Sequence, residues 1–261
     1  MVRVHLQGGR YAFQKRQKKY LTKKEKQWLL QLHVFGESGD PEAIHQLRLN
    51  IKKVKAFVQM MKACSDKRIV KDFGPFKKMF RQAGKIRDAG NSLKLLKQFE
   101  VSFAEYSERQ ERLQKEAEVV FNERSEEYKK KGKKAGRRLQ ADLHAVRSRC
   151  IKDWYASRLI KISVLVTASG DLLHEARKRI KELLYVEKLL PPALAQEIRL
   201  DKDYLDRLQD AIGDWHDMAV IVETYAGREG ADSQAMVDES GRREAKVRML
   251  AGDFYLKAHL T

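Results

Sequence analysis

Two short stretches of the chain place histidine, arginine and lysine at the spacing of a helix. They read HQLRLNIKKVK, residues 45–55, and HEARKRIKEL, residues 174–183. Residues three or four positions apart lie on one face of a helix, so the cations of each stretch form a row. Guanidinium and ammonium groups bind phosphate oxygens by charge-assisted hydrogen bonds. The first row consists of His45, Arg48, Lys52 and Lys55, and the second of His174, Arg177, Lys181 and Lys188.

An apolar stripe accompanies each row, one residue earlier in the sequence. One residue is about 100° around a helix, so each cationic row lies at the edge of the face that packs into a bundle. In the second stretch, Leu184 stands where the first has Lys55. The two stripes are Ile44, Leu47, Ile51, Val54 and Val58, and Leu173, Ala176, Ile180 and Leu183.

The two stretches belong to an internal repeat. The displacement along the chain that carries His45 onto His174, which we call the repeat shift, also carries Arg48 onto Arg177 and Lys52 onto Lys181. Two separate motifs with one offset indicate duplication of a helical unit. A single cationic row is ordinarily a solvated flank. If two units pack around a pseudo-two-fold axis, however, the rows can face each other and concentrate positive potential in one groove or channel. The repeat shift also aligns Gly84 with Gly213 and Asp88 with Asp217.

The elements that carry the rows are predicted to be helices in an all-α protein, because only four prolines interrupt segments rich in Leu, Ala, Lys, Glu, Arg and Gln. Asp40 is a predicted N-cap followed by Pro41, and Ser169 is the predicted cap of the second unit. Both histidines then fall in the second helical turn. Further helices are predicted at 20–35, 67–83, 86–110, 110–131, 138–165, 193–212, 214–226 and 241–259.

Two segments are predicted to be irregular. KKKGKKAGRR, residues 129–138, has seven cations and two glycines and is interpreted as a hinge or hairpin tip; an anion clamp is the alternative. Residues 226–241 are interpreted as a surface loop. The predicted organisation is a basic N-terminal segment at 1–19, a first helical unit at 20–131 and a second at 132–261, together forming one compact domain.

Composition indicates a negatively charged partner. Fifty-four Lys and Arg against 36 Asp and Glu give a net charge of +18, which suits nucleic acid, an anionic membrane surface or polyphosphate. Cys64 and Cys150 have no metal-binding spacing and are predicted to be free core thiols. The chain has no run of 18 apolar residues, so we expect no membrane insertion, and we expect a cytoplasmic location.

Four ordered stretches resemble the signature motifs of the CHAD family, the conserved histidine α-helical domain. They read DPEAIHQLRLNIKKVKAF, AGKIRDAGNSLKLL, LLHEARKRIKELLY and LQDAIGDWHDMAVIVE, and the resemblance covers about residues 20–259. It implies two pseudo-symmetric helical bundles around a central basic pore that binds inorganic polyphosphate and can direct proteins to polyphosphate granules. We expect no cofactor. Protein partners are not indicated by the sequence.

The resemblance also implies site residues. The predicted polyphosphate ligands are His45, Arg48, Lys52, Lys53, Lys55, Arg87, His174, Arg177, Lys178 and Lys181. Asp88 and Asp217 match the family's acidic position, where they either orient a cation or cap a helix. Glu182 and Leu184 stand where family members often carry a cation, and His216 stands at the position of Arg87, so the second unit is expected to bind more weakly.

The histidines predict a dependence on pH. Among cations, an imidazole without ligand favours its neutral form, and a bound polyanion favours the imidazolium. Affinity is therefore expected to rise as the pH falls toward 6. An ordinary hydrogen bond across the bundle is the alternative role for each histidine.

Other functions remain open at the level of sequence. Trp28, Trp154, Tyr155 and Trp215 could stack on bases of a nucleic acid, although helical aromatics among apolar neighbours are usually core. His216 and Asp217, with His174 and Asp238, could form the metal site of an HD-type phosphohydrolase. No phosphate-binding GxxxxGK[ST] loop occurs, and we expect the protein not to be an enzyme. A scaffold that recruits proteins is compatible with polyphosphate binding.

Overall fold

The computed structural model describes residues 2–65, 73–98, 104–168, 170–225 and 233–259. Within these ranges the regular elements are α-helices, with one isolated antiparallel bridge between Leu200 and His259. This confirms the predicted all-α class. The helices are α1 (Val2–Ser38), α2 (Pro41–Ala63), α3 (Gly74–Gln98), α4 (Ala104–Glu123), α5 (Ser125–Ala141), α6 (Ser148–Leu165), α7 (Asp171–Glu187), α8 (Pro192–Ile198), α9 (Lys202–Tyr225), α10 (Ser233–Ala251) and α11 (Phe254–Lys257).

The chain divides into two compact units, Met1–Arg147 and Ser148–Thr261. The first contains α1–α5 and the second α6–α11. The boundary predicted between residues 131 and 132 falls inside α5, and the predicted segment 1–19 is part of α1.

Aromatic side chains fill the core of the first unit. Trp28 of α1 meets Phe76 of α3 edge to face, with ring centroids 5.8 Å apart, and Phe35 meets Phe121 of α4 at 5.4 Å. Such pairs add to the stability gained by burying apolar area. They join α1 to both α3 and α4. They thereby fix the position of α3, the helix that the cationic row of α2 contacts.

The apolar stripes of α2 and α7 are buried as predicted. The side chains of the first stripe are at most 4% exposed, and those of the second are fully buried. The start of α2 is also confirmed, because the Asp40 side chain accepts a 2.9 Å hydrogen bond from the backbone N–H of Glu42, with Pro41 at the first position. The predicted cap Ser169 lies outside the described residues, and Gly170, with φ of 59°, precedes α7.

Several predicted helix ends were wrong. Helix α1 begins at Val2 rather than at residue 20, α3 continues through the break predicted near residue 85, and α9 continues through the one predicted near Gly213. Gly84 does not end α3 and Gly213 does not end α9, because a side chain of a neighbouring helix packs closely against each glycine. A helix held by tertiary packing overrides the cost of about 1 kcal/mol for an internal glycine.

The interpretation of residues 129–138 as a hinge or hairpin tip was wrong, because they lie within helix α5. The buried face of α5 consists of Tyr128, Gly132, Ala135 and Leu139, which follow helical spacing. A methyl group at Gly132 would lie 2.8 Å from the Trp28 ring, so this glycine permits close packing rather than a turn.

The loop interpretation of residues 226–241 was wrong from residue 233 onward, where α10 begins. Residues 226–232 lie outside the described ranges. Glu239 pairs with Arg242 at 2.9 Å and with Arg243 at 2.7 Å, both at helical spacing, and these pairs support the helix. Asp238 lies in this helix.

In the part of the chain that the structure describes, no helix is both long enough and apolar enough to cross a bilayer. Cys64 and Cys150 are thiols and not half-cystines, as expected, but both are half-buried at helix ends rather than placed in the core.

Candidate anion-binding surfaces

Arg48 of α2 packs against α3 at a position where a glycine leaves room for it. Its guanidinium lies over the Phe80 ring, 4.1 Å from the centroid, and Nη1 donates a 2.7 Å hydrogen bond to the Phe80 carbonyl. A methyl carbon at Gly84 would lie 2.5 Å from that nitrogen. In a helix, the Phe80 carbonyl accepts from the N–H of Gly84, and the missing side chain leaves the same oxygen open to a second donor.

The same contact recurs in the second unit. Nε of Arg177 in α7 donates a 2.9 Å hydrogen bond to the carbonyl of Gln209 in α9, and a methyl carbon at Gly213 would lie 2.5 Å from Nη2. The repeat shift relates each participant to its counterpart in the first unit. We call this the arginine–glycine contact. It explains why the repeat matches glycine with glycine and arginine with arginine.

Burial and two neighbouring charges act on the pKa of Arg48. Burial lowers the pKa of the Arg48 guanidinium, the Asp88 carboxylate raises it, and Arg87 lowers it further. The Asp88 carboxylate therefore favours the charged form of Arg48. Asp88 and its counterpart Asp217 are both exposed.

The remaining cations of α2 lie nearer to solvent than Arg48, which is 9% exposed. His45 and Lys55 are exposed, and Lys52 and Lys53 are half-buried. The Lys52 ammonium lies 5.9 Å from the centroid of the Phe80 ring, so it leans toward α3. Arg87 of α3 is also half-buried. We call the α2 row and Arg87 together the first basic edge; Lys53 lies further around the helix.

On α7, cations next to the row pair with an acidic side chain. Lys178 is exposed and pairs with Glu175 at 2.8 Å, and Arg179 pairs with the same carboxylate at 3.1 Å. His174 stacks on His216 of α9, with ring centroids 4.3 Å apart and planes at 36°. These imidazoles occupy the positions of His45 and Arg87 in the first unit.

A pocket lies between α7 and the first turns of α9. Three lysines line it, but so do two carboxylates, and Lys202 pairs with Glu187 at 3.3 Å. The predicted ligand Lys181 therefore shares its surroundings with acids. The pocket is lined by Lys181, Leu184, Tyr185, Glu187, Lys188, Lys202, Asp206 and Gln209.

The exposed charges on α3 that flank the first basic edge were not identified from the sequence. Lys77 and Arg81 of α3 lie within one turn of Phe80, the residue that Arg48 and Lys52 contact. Their counterparts, Asp206 and Asp210, are acidic. The signal that could have found them is the repeat shift itself, applied to polar positions as well as to the four motifs.

The aromatics nominated for base stacking are buried. Trp28 is 2% exposed, Tyr155 is 1% exposed, and Trp154 and Trp215 are each 6% exposed. Tyr155 in addition donates a 3.1 Å hydrogen bond to the Leu183 carbonyl. This confirms the core alternative for these four side chains. Within the described ranges, no three His, Cys, Asp or Glu side chains are grouped so that they could hold a metal ion.

Comparisons with known proteins place this chain in a family. A crystal structure of the CHAD domain from the plant Ricinus communis is similar, with a TM-score of 0.61 and 13% identity over 94% of this chain and 90% of that chain. This likeness shows the fold. No curated protein matches the chain. Because residues 18–226 match the CHAD domain family, which is most of its length, the chain belongs to that family.

Proposed function

We propose that the protein binds inorganic polyphosphate through the cationic rows of α2 and α7. The arginine–glycine contact supports this most directly, because it holds a guanidinium in the same place in both units. The lysines of each row then lie beside a fixed positive charge rather than on an unconstrained flank. A preorganised row loses less conformational entropy when an anion binds than separate flexible side chains do.

A bare phosphate chain fits these rows better than a nucleic acid does. Phosphate binding needs cations in series and no flat apolar platform, whereas strand binding without sequence preference also uses exposed aromatics. The four aromatics nominated for that purpose are at most 6% exposed. The basic pore implied by the family resemblance is part of this proposal.

We further propose that the protein acts by binding and not by catalysis, in the cytoplasm and in association with polyphosphate granules. Hydrolysis assays with polyphosphate and nucleotides, each with and without divalent cations, test the first of these statements. Release of phosphate above a no-protein control would favour the HD-type alternative.

The binding experiment uses long-chain polyphosphate on beads with RNA as the competitor. Polyphosphate is expected to displace bound RNA, and RNA is not expected to displace bound polyphosphate. Neutralising roughly six to eight phosphates should give a salt slope of roughly −0.7 per contact, by analogy with single strands. Equal competition in both directions would contradict the proposal and favour nucleic-acid binding.

A further inference from the structure

Helices α3 and α9 stand at matching places in the repeat, but several of their exposed positions carry opposite charges. At four pairs of positions related by the repeat shift, a cation in α3 is replaced by a carboxylate in α9, and all eight residues are exposed. Three of the pairs follow one another at intervals of four residues, so they form a stripe on each helix. The pairs are Lys77 and Asp206, Arg81 and Asp210, Lys85 and Asp214, and Lys94 and Glu223.

In the first unit, the first two cations of this stripe, Lys77 and Arg81, lie beside the first basic edge, whereas Lys85 lines a pocket between α3 and α4. Arg48 and Lys52 both approach the Phe80 ring. Lys77 is one helical turn before Phe80, and Arg81 follows it by one residue, so both lie next to that contact on its solvent side. Cations from two helices therefore border one exposed surface.

In the second unit, the corresponding surface mixes charges of both signs. Asp206, the counterpart of Lys77, lines the same pocket as Lys181, the counterpart of Lys52. Asp210, the counterpart of Arg81, accepts a hydrogen bond from the side chain of Gln209. A phosphate that approaches Lys181 thus meets carboxylates where the first unit offers cations, and this reduces the local positive potential.

We infer that the first unit binds the polyphosphate chain more strongly than the second, on a surface made by Lys52 and Lys55 of α2 with Lys77 and Arg81 of α3. The equivalent surface on α7 and α9 contributes less to affinity because carboxylates line it. This inference rests on the proposed function and adds to it the choice of unit and the ligands on α3.

The test replaces the two α3 cations by the acids that α9 carries. Lys77→Asp with Arg81→Asp should weaken binding of long-chain polyphosphate roughly tenfold or more at 0.15 M salt and make the salt slope shallower by roughly 1.4, since two contacts are lost. The matched control is Lys15→Asp with Lys19→Asp on α1, which are exposed, equally spaced and change the net charge equally. The control should change affinity by less than roughly threefold.

The reciprocal variant makes the second unit resemble the first. Asp206→Lys with Asp210→Arg adds cations beside Lys181 and should increase affinity and steepen the salt slope. All the substituted side chains are exposed, and circular dichroism verifies that each variant keeps its helical content.

The outcomes separate the inference from the proposed function. Absence of polyphosphate binding by the unsubstituted protein would reject the proposed function itself. Binding that falls equally in the α3 variant and in the α1 control would instead overturn the inference, because only net charge would then matter. A larger loss from Lys181→Ala with Lys188→Ala than from Lys52→Ala with Lys55→Ala would overturn it too, by assigning the anion to the second unit.

Discussion

Arg48 lies so close to Gly84 that a methyl carbon on this glycine would stand 2.5 Å from the guanidinium nitrogen that bonds the Phe80 carbonyl. The pair thus joins α2 to α3 through a backbone carbonyl rather than through a carboxylate. Arg177 and Gly213 join α7 to α9 in the same way. A glycine in each partner helix therefore determines where the arginine of each cationic row can lie.

Substituting the glycines should destabilise the fold, although alanine favours helices. Gly84→Ala displaces the buried Arg48 guanidinium and Gly213→Ala the half-buried one of Arg177, and each removes a hydrogen bond, at a cost of about 1.5–3 kcal/mol. The gain in helix propensity of about 1 kcal/mol offsets only part of this cost. Urea denaturation should therefore show a lower free energy of unfolding for each variant.

The control for these variants is Gly241→Ala in α10. Gly241 also lies within a helix, but an added methyl carbon would meet nothing within 4 Å. Alanine there should raise the free energy of unfolding by about 1 kcal/mol. Stabilisation of the Gly84 and Gly213 variants to the same extent would show that the arginines move aside without loss.

Removing both arginines tests their contribution to binding. Arg48→Ala with Arg177→Ala should weaken polyphosphate binding strongly while the helical content stays intact, because the apolar stripes beside the arginines remain buried. Lysine at both positions keeps the charge without the planar guanidinium, so it should restore part of the affinity. Loss of helical circular dichroism in the alanine variant would make these residues structural instead.

The sequence predicted the features that follow from helix periodicity. The buried stripes of α2 and α7, the Asp40 cap and the edge position of Arg48 all depend on which face of one helix a residue occupies. That information is local, so it can be read without knowing the neighbouring helices. The repeat shift between the two units was likewise visible in the sequence.

The sequence did not predict the role of glycines that pack against a side chain of another helix. Gly84, Gly132 and Gly213 lie within helices, and each faces a large side chain of another helix. A single sequence does not show which residue approaches a glycine, so a packing glycine resembles a breaker. The burial of Arg48 was missed for a similar reason, because its partner is a backbone carbonyl on α3.

A buried tyrosine should make the second unit sensitive to alkali. Burial, followed by the charges of Asp201 and Asp253, raises the pKa of Tyr204 to about 12. An unfolded chain releases this proton at about pH 10, so the folded state binds it more tightly between these values. The corresponding stability is present below pH 10 and is lost as the pH rises toward 12, by up to about 3 kcal/mol.

Tyr204→Phe tests this dependence. The phenol donates a 2.9 Å hydrogen bond to the Leu250 carbonyl, so its loss should cost about 1 kcal/mol at pH 7. In the variant, the free energy of unfolding should fall less steeply between pH 9.5 and 11.5, as measured by urea denaturation. The control is Tyr255→Phe, since Tyr255 is 44% exposed. Equal pH dependence in both variants would contradict the assignment.

The histidines should make polyphosphate binding depend on pH near neutrality. His45 is exposed in the cationic row of α2, where neighbouring cations favour the neutral imidazole and a bound polyanion favours the imidazolium. Bound phosphate thus favours proton uptake, and by linkage affinity should be higher at pH 6 than at pH 8.5. Titrations at constant ionic strength measure this dependence, and glutamine at His45 should reduce the difference between the two pH values. Equal affinity of the unsubstituted protein at both pH values would show that the imidazoles take no part in binding.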